Sequence, residues 1–242
     1  MNTVLITKTA VLTGGTTGLE NANDTSMLAE GADVVICGRN HQTVQSALNE
    51  LSEPNHGRKV AGLAADVGKS EDVRHLFEFA DKELGGIDIL VNNAGSAVFR
   101  PAADLSVEEW DQMIATNLSG AFYCSKEALR RFPARNGGSI INISSLAGKN
   151  PMLGGSAYNA SKFGMNGFSE AMMMDHRQEN VRVSYVMPGS VDTEFNGHSK
   201  AEKSDWKIEP EDIAEIVIGI LRMPARTLIS RVEVRPSKPP KK

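Results

Sequence analysis

Tyr158 and Lys162 stand four residues apart in Y-N-A-S-K, and Ser145 lies thirteen positions upstream in the run I-N-I-S-S-L-A-G. In a helix, residues i and i+4 share a face, so this phenol and this ammonium point into one space. A free tyrosine, with a pKa of about 10, is a poor proton donor or acceptor near neutrality. A lysine charge beside it favours phenolate and is expected to lower that value. A serine hydroxyl next to both can hold a substrate oxygen while the phenol passes it a proton. Such a trio is equipped to interconvert an alcohol and a carbonyl, provided that a nucleotide site lies elsewhere in the chain.

The elements that must position these groups alternate from end to end. Short β-branched runs predict strands at Ala10–Thr13, Val34–Cys37, Val60–Ala64, Ile87–Asn92, Ile140–Ser144, Val183–Met187 and Leu228–Val234. Longer amphipathic stretches predict helices at Gln42–Leu51, Ser70–Leu84, Val107–Arg131, Ala157–Glu179 and Pro210–Leu221. Ser70 before Glu71 and Asp72, and Ser106 before Glu108 and Glu109, supply helix starts. Apolar strands alternating with helices imply an α/β fold, a doubly wound parallel sheet of about seven strands covered on both faces. No repeat or long linker interrupts it. One domain over residues 1–235 is expected, with 236–242, rich in proline and lysine, as a loose tail.

The bulk composition narrows the function classes. The 242 residues are 40% hydrophobic and 23% charged, with net charge −4. This mildly acidic balance gives no support to nucleic-acid or membrane binding. No apolar run reaches the length of a spanning helix, and Met1–Lys8 lacks a signal-peptide core. Cys37 and Cys124 sit among apolar neighbours and read as buried small hydrophobes in a reduced, cytoplasmic protein. The five histidines form no ligand cluster, so no metal is expected.

The nucleotide site begins where the first strand runs into Thr13, Gly14, Gly15, Thr16, Thr17 and Gly18. Glycines permit a tight turn, and the N-terminus of the helix that follows offers free N–H groups to a pyrophosphate. The second strand ends at Gly38-Arg39. An acid there would hold a ribose diol, whereas an arginine accommodates a 2′-phosphate, so the pair favours NADP over NAD. The third strand ends at Asp66-Val67 and the fourth at Asn92-Asn93-Ala94-Gly95, on the edge where open α/β sheets bind ligands.

Taken in order, these pieces resemble the single-domain form of the short-chain dehydrogenase/reductase family, with the 3-oxoacyl-carrier-protein reductases and related carbonyl reductases among the relatives. The matching residues are the turn at 13–18, Asp66-Val67, Asn92–Gly95, Asn117 in T-N-L-S-G, Ser145, Tyr158 with Lys162, and Pro188–Thr193. The resemblance implies a Rossmann-like fold and hydride transfer at a nicotinamide. Tyr158 would be the general acid/base, Lys162 would lower its pKa and grip the nicotinamide ribose, and Ser145 would orient the substrate carbonyl. Asn117 would hold a water linking Lys162 to solvent. Gly14, Thr16, Thr17, Gly18 and Leu19 would meet the cofactor at the first turn, and Arg39 at its 2′-phosphate. Asp66 and Val67 would meet the adenine, Asn93, Ala94 and Gly95 would line the cofactor, and Pro188, Gly189, Val191 and Thr193 would cover the carboxamide. It also implies a homodimer or homotetramer joined through the two long helices, hiding residues such as Phe163, Phe168 and Met172.

Two departures stand out. Glu20 occupies the position of the last glycine of T-G-x-x-x-G-x-G, and Asn21–Ser26 are polar where a helix packed on the sheet should be apolar. The chain also carries Arg231–Pro236 where many relatives have a glycine-rich strand end. The variable loop Glu194–Lys207, with Phe195, His198 and Trp206, is too mixed to name a substrate. The sequence therefore supports an NADP-dependent carbonyl reductase or alcohol dehydrogenase. Its alternative is a nucleotide-binding or sensing protein of the same fold with impaired turnover, to which Glu20 points.

Overall fold

The computed structural model describes residues 5–14, 19–52, 57–193 and 205–240. Seven strands, all paired in parallel, form one sheet. In chain order they are β1 (Thr9–Thr13), β2 (Asp33–Gly38), β3 (Val60–Ala64), β4 (Ile89–Asn92), β5 (Gly138–Ile143), β6 (Val181–Pro188) and β7 (Arg231–Val234). Their order across the sheet is β3-β2-β1-β4-β5-β6-β7. The sequence reverses direction between β1 and β4, and that switch point opens the crevice for a ligand. The central strands are buried along their whole length, as a sheet covered on both faces requires, whereas edge strand β7 alternates exposed and half-buried.

The helices are α1 (Leu19–Ala29), α2 (His41–Ser52), α3 (Ser70–Leu84), α4 (Val107–Ile114), α5 (Gly120–Arg131), α6 (Ser156–His176) and α7 (Pro210–Leu221). Two apolar clusters cover the two faces. One packs Met27, Leu28 and residues of α7 such as Ile213 and Val217 against β1 and β2. The other packs Leu76 and Phe77 of α3, Cys124 and Ala128 of α5, and Met172 of α6. Met172 is only 4% exposed, so it belongs to this chain's own core rather than to a subunit contact. Phe163 is 46% exposed and does face outward.

The boundaries of α3 and α7 match the sequence expectation. Ser106 caps α4 with a complete capping box, its side chain accepting the Glu109 N–H while the Glu109 carboxylate accepts the Ser106 N–H. Ser70, by contrast, is the first residue of α3, after an N-cap at Lys69 that makes no side-chain bond. The expected single helix Val107–Arg131 is interrupted by a π turn at Ala115–Ser119, where Gly120 N–H reaches back to Ala115 O. A π turn inserts an extra residue without ending the helix, so no breaker in the sequence announces it.

The polar run at the start of the chain does form α1. Its buried positions are Asn23, Asp24, Met27 and Leu28, so two polar side chains sit in the face that a helix normally fills with apolar ones. The Asn23 side-chain oxygen has no hydrogen-bond partner among the described residues.

Candidate active site

The C-terminal ends of β4, β5 and β6 and the N-terminal half of α6 surround a cavity of about 620 Å³. Ser145, Tyr158 and Lys162 all line it, together with Asn93, Gly95, Pro188, Gly189, Val191, Thr193 and Leu19. The sequence places them far apart; the crossovers bring them to one edge.

Ser145 follows β5 in extended backbone and caps a short 3-10 turn, Leu146–Gly148, its Oγ accepting the Ala147 N–H at 3.1 Å. The Tyr158 hydroxyl shares a hydrogen bond with the Ser145 side chain. One turn along α6, Lys162 donates from Nζ to the Ile143 carbonyl at 2.9 Å and lies 5.9 Å from the centre of the Tyr158 ring. Phe99 packs edge-on against that ring, with centroids 5.6 Å apart.

The electrostatics differ from the sequence expectation. Burial pushes the Tyr158 phenol above its ordinary value, and the hydrogen bond with Ser145 only partly opposes this. Lys162 is pushed down from 10.5 to about 8 by burial alone. Burial of the phenol outweighs the neighbours that favour its phenolate. Tyr158 is therefore held protonated, as an acid.

Asparagines and hydroxyls fix this edge. Asn92 donates to Asn142 Oδ1 at 2.8 Å and to Ser125 Oγ at 3.1 Å across the buried centre of the sheet. Thr13 Oγ1 accepts the N–H groups of Asn93 and Ala94, at 3.1 and 3.2 Å, which sets the loop after β4. Asn117, fully buried in the π turn, clasps Ser96 by accepting its N–H and donating to its carbonyl, both at 2.8 Å, and donates to Ser161 of α6 at 3.0 Å. Both amide hydrogens of Asn117 are thus engaged in tying the β4 loop to the Tyr158 helix. On the other side, Asn159 donates to the carbonyls of Ala147 and Asn150 and accepts the Met152 N–H, clamping the Ser145 loop onto α6. Sequence reasoning missed Thr13, Asn92, Asn142, Asn159 and Ser161 as positioning groups. Their one signal was polarity where burial was expected.

Residues suited to a dinucleotide occupy the same edge. Gly14 takes φ +87°, the left-handed region that a side chain would strain. Thr16, Thr17, Gly18 and the Glu20 side chain lie outside what the structure describes. Leu19 opens α1. The side-chain oxygen of Asn93 is buried in the cavity wall with no partner among the described residues, as expected of a group awaiting a ligand. Asp66 accepts the Gly68 N–H through Oδ1, and Val67 beside it is buried. Arg39 is exposed beyond β2 and makes no bond or ion pair among the described residues, so its guanidinium is available to a phosphate. At Gly189 a Cβ would come within 3.0 Å of Pro236 and 3.2 Å of Leu146, so a side chain there would require those neighbours to give way. Among the described residues no cluster of metal-ligating side chains occurs.

The profile of the short chain dehydrogenase family matches residues 8–204. A protein named as an uncharacterized oxidoreductase of Staphylococcus aureus (strain MRSA252) is 34% identical over 235 residues, which is 97% of this chain and 99% of that one. A metagenomic short-chain oxidoreductase crystallised in complex with NADP superposes with a TM-score of 0.84 at 34% identity, covering 97% of this chain and 99% of that one. An alcohol dehydrogenase from the archaeon Thermococcus sibiricus, complexed with 5-hydroxy-NADP, gives a TM-score of 0.89 at 25% identity over 97% and 99% of the two chains.

Proposed function

This chain belongs to the short chain dehydrogenase family of oxidoreductases, and we propose that it is an NADP-dependent carbonyl reductase in which Tyr158 supplies the proton. The observation that carries this reading is the buried Tyr158–Ser145 hydrogen bond at the floor of a cavity that also holds Lys162. A nicotinamide, when bound at this edge, would supply the hydride for the carbonyl carbon. The chain's own groups serve the oxygen: Ser145 Oγ hydrogen-bonds it, and the Tyr158 hydroxyl transfers its proton to it, leaving a phenolate that is reprotonated from solvent. Lys162, held by the Ile143 carbonyl, favours that phenolate while its ammonium remains charged. The upward-shifted phenol suits this direction, because an acid must arrive protonated.

Cofactor choice rests on Arg39 and Gly38. A charge-assisted bond from Arg39 to the 2′-phosphate is worth about 1.5–3 kcal/mol, or roughly tenfold to a hundredfold in favour of NADPH over NADH. Arg39→Asp is expected to reverse that order in fluorescence titrations, and equal affinity of the wild type for both cofactors would overturn it. Tyr158→Phe is expected to lose about 10²–10⁴-fold in turnover while binding NADPH as the wild type does; unchanged turnover would show that another group gives the proton.

The assembly proposed is a homodimer or homotetramer through α4–α5 and α6. Its support is the outward face carrying Trp110, Phe122 and Phe163, each 40–46% exposed, with Phe168 half-buried beneath Phe122. Light scattering that returned the 26.1 kDa mass of one chain would rule this out. A reducing, cytoplasmic setting accords with the buried, unbridged Cys37 and Cys124. No described helix is long and apolar enough to cross a membrane.

A further inference from the structure

Beyond the reacting groups, the cavity has a wall that the sequence presents as a loose end. β7 pairs with β6 up to Pro188↔Val234, and Gly189 N–H donates to the Val234 carbonyl at 2.8 Å. The chain after Val234 therefore leaves from the turn that closes over the nicotinamide side of the cavity. Pro236 lies against Gly189, where a Cβ would meet its ring at 3.0 Å, and both Pro236 and Pro239 line the cavity. Glu233 binds Lys149, next to the Ser145 turn, and also Arg235 at 3.1 Å, which ties the start of this segment to the catalytic loop. Proline has a fixed φ and little backbone freedom left to lose, so a wall containing Pro236 and Pro239 is largely ordered before any ligand arrives.

Other parts of the lining are pinned as well. Trp206 lines the cavity beside a short parallel bridge, in which Ile208 N–H donates to Ser190 O and Asp192 N–H to Ile208 O. Phe99 is held where Arg100 N–H donates to Gly154 O at 2.8 Å. Besides Lys162, which stands beside the reacting groups, two cations reach the cavity, and each is matched by a carboxylate: Lys207 by Asp192 at 3.2 Å and Arg235 by Glu233. With those charges neutralised, what remains above Ser145 and Tyr158 is an apolar slot.

On the reductase reading, we propose that residues 236–240 are a specificity-determining wall, and that the substrate is an uncharged ketone or secondary alcohol with a bulky apolar arm. The carbonyl sits at Ser145 and Tyr158, and the arm lies among the lining residues Phe99, Trp206, Pro236 and Pro239. Apart from Lys162 beside the reacting groups, a free anionic group on that arm finds no unmatched cation among the described residues of the slot. Burial of one ring-sized apolar group against such a wall corresponds to about tenfold in affinity or more.

The test compares butanone with 4-phenyl-2-butanone, both with NADPH, in the wild type and in a variant lacking residues 236–242. The wild type is expected to favour the phenyl ketone in kcat/KM by about tenfold or more. Deletion should raise KM for the phenyl ketone by about tenfold, while butanone turnover and NADPH affinity change by less than about twofold. The double variant Pro236→Gly/Pro239→Gly serves if the deletion lowers the melting temperature, and should move KM the same way. An unchanged phenyl-ketone preference in these variants overturns the proposal. So does an equal loss for both ketones. If the wild type reduces neither ketone, the reductase reading is what fails. Calorimetric binding of 4-phenyl-2-butanol then decides the wall: binding that the deletion abolishes upholds it, and no binding, or binding indifferent to the deletion, overturns it.

Discussion

The two edges of the sheet bury charge in opposite ways. At the N-terminal edge, Asp88 precedes β4 and is 6% exposed. Its carboxylate accepts from Thr9 N–H and Oγ1, from Lys8 Nζ and from Arg135. Burial alone pushes this carboxyl up, but the bonds from Arg135, Lys8 and Thr9 more than offset it and hold it below its ordinary value. At the C-terminal edge, Lys162 is 4% exposed and, among the described residues, has a single carbonyl partner and no carboxylate, so burial prevails and its pKa falls to about 8. The same strands thus end in a satisfied charge on one side and an unsatisfied one on the other. A buried charge that is fully partnered specifies structure; one left short of partners is available to chemistry.

Several changes would break or sharpen that contrast. Asp88→Ala removes the centre of the satisfied cluster and leaves Lys8 and Arg135 without it, so a loss of about 3 kcal/mol is expected in urea unfolding, with kcat/KM per folded molecule unchanged. Because the folded pKa of Asp88 lies below the unfolded one, its contribution is complete above the unfolded value of about 4. It disappears as pH falls through the folded value, so the variant should show a shallower acid limb. Parallel acid limbs would mean that the cluster is not stabilising.

Lys162→Met should have the opposite sign. Between pH 8 and about 10.4 the unfolded chain holds a proton on this lysine that the folded chain has shed, so wild-type stability rises with pH across that window. Below it the folded state bears the full cost of a buried ammonium. The variant should therefore be more stable than the wild type by about 3 kcal/mol at pH 7, and the gap should close towards pH 10, while activity is lost. A gap that does not vary with pH would contradict the unpartnered charge. Asn23→Ala on α1 sharpens the picture with a smaller effect. It removes a buried carbonyl oxygen that has no partner among the described residues, and should raise stability by about 1 kcal/mol; a loss of similar size would show that Asn23 is satisfied.

The sheet was legible in the sequence because parallel strands buried on both faces must be continuous apolar runs. The expected Val60–Ala64 agrees with β3, and the other strands differ only at their ends. Leu228–Val234 was expected to be longer than β7, whose pairing with β6 begins at Tyr185↔Arg231. Tyr158, Lys162 and Ser145 were legible from residue type and spacing. The direction of the Tyr158 shift was not, since it depends on how deeply the phenol itself is buried, a three-dimensional quantity. Nor was the π turn at Ala115–Ser119, which alters the register of a helix without a breaker. The polar stretch of α1 suggested a weak helix, yet the helix packs, with Asn23 and Asp24 inside. The proline-rich segment after Val234 looked loose from composition; the Gly189–Val234 bond that places it on the cavity leaves no mark in the sequence.

The most direct measurement is an NMR titration of the Lys162 side-chain nitrogen in the cofactor-free protein, assigned by comparison with Lys162→Met. The account predicts a midpoint near pH 8, below the ordinary 10.5, and an upward move when NADP adds negative charge to the same edge. A midpoint near 10.5 in the free protein would mean that Lys162 has a partner or water that the account denies it, and the contrast between the two edges would fall.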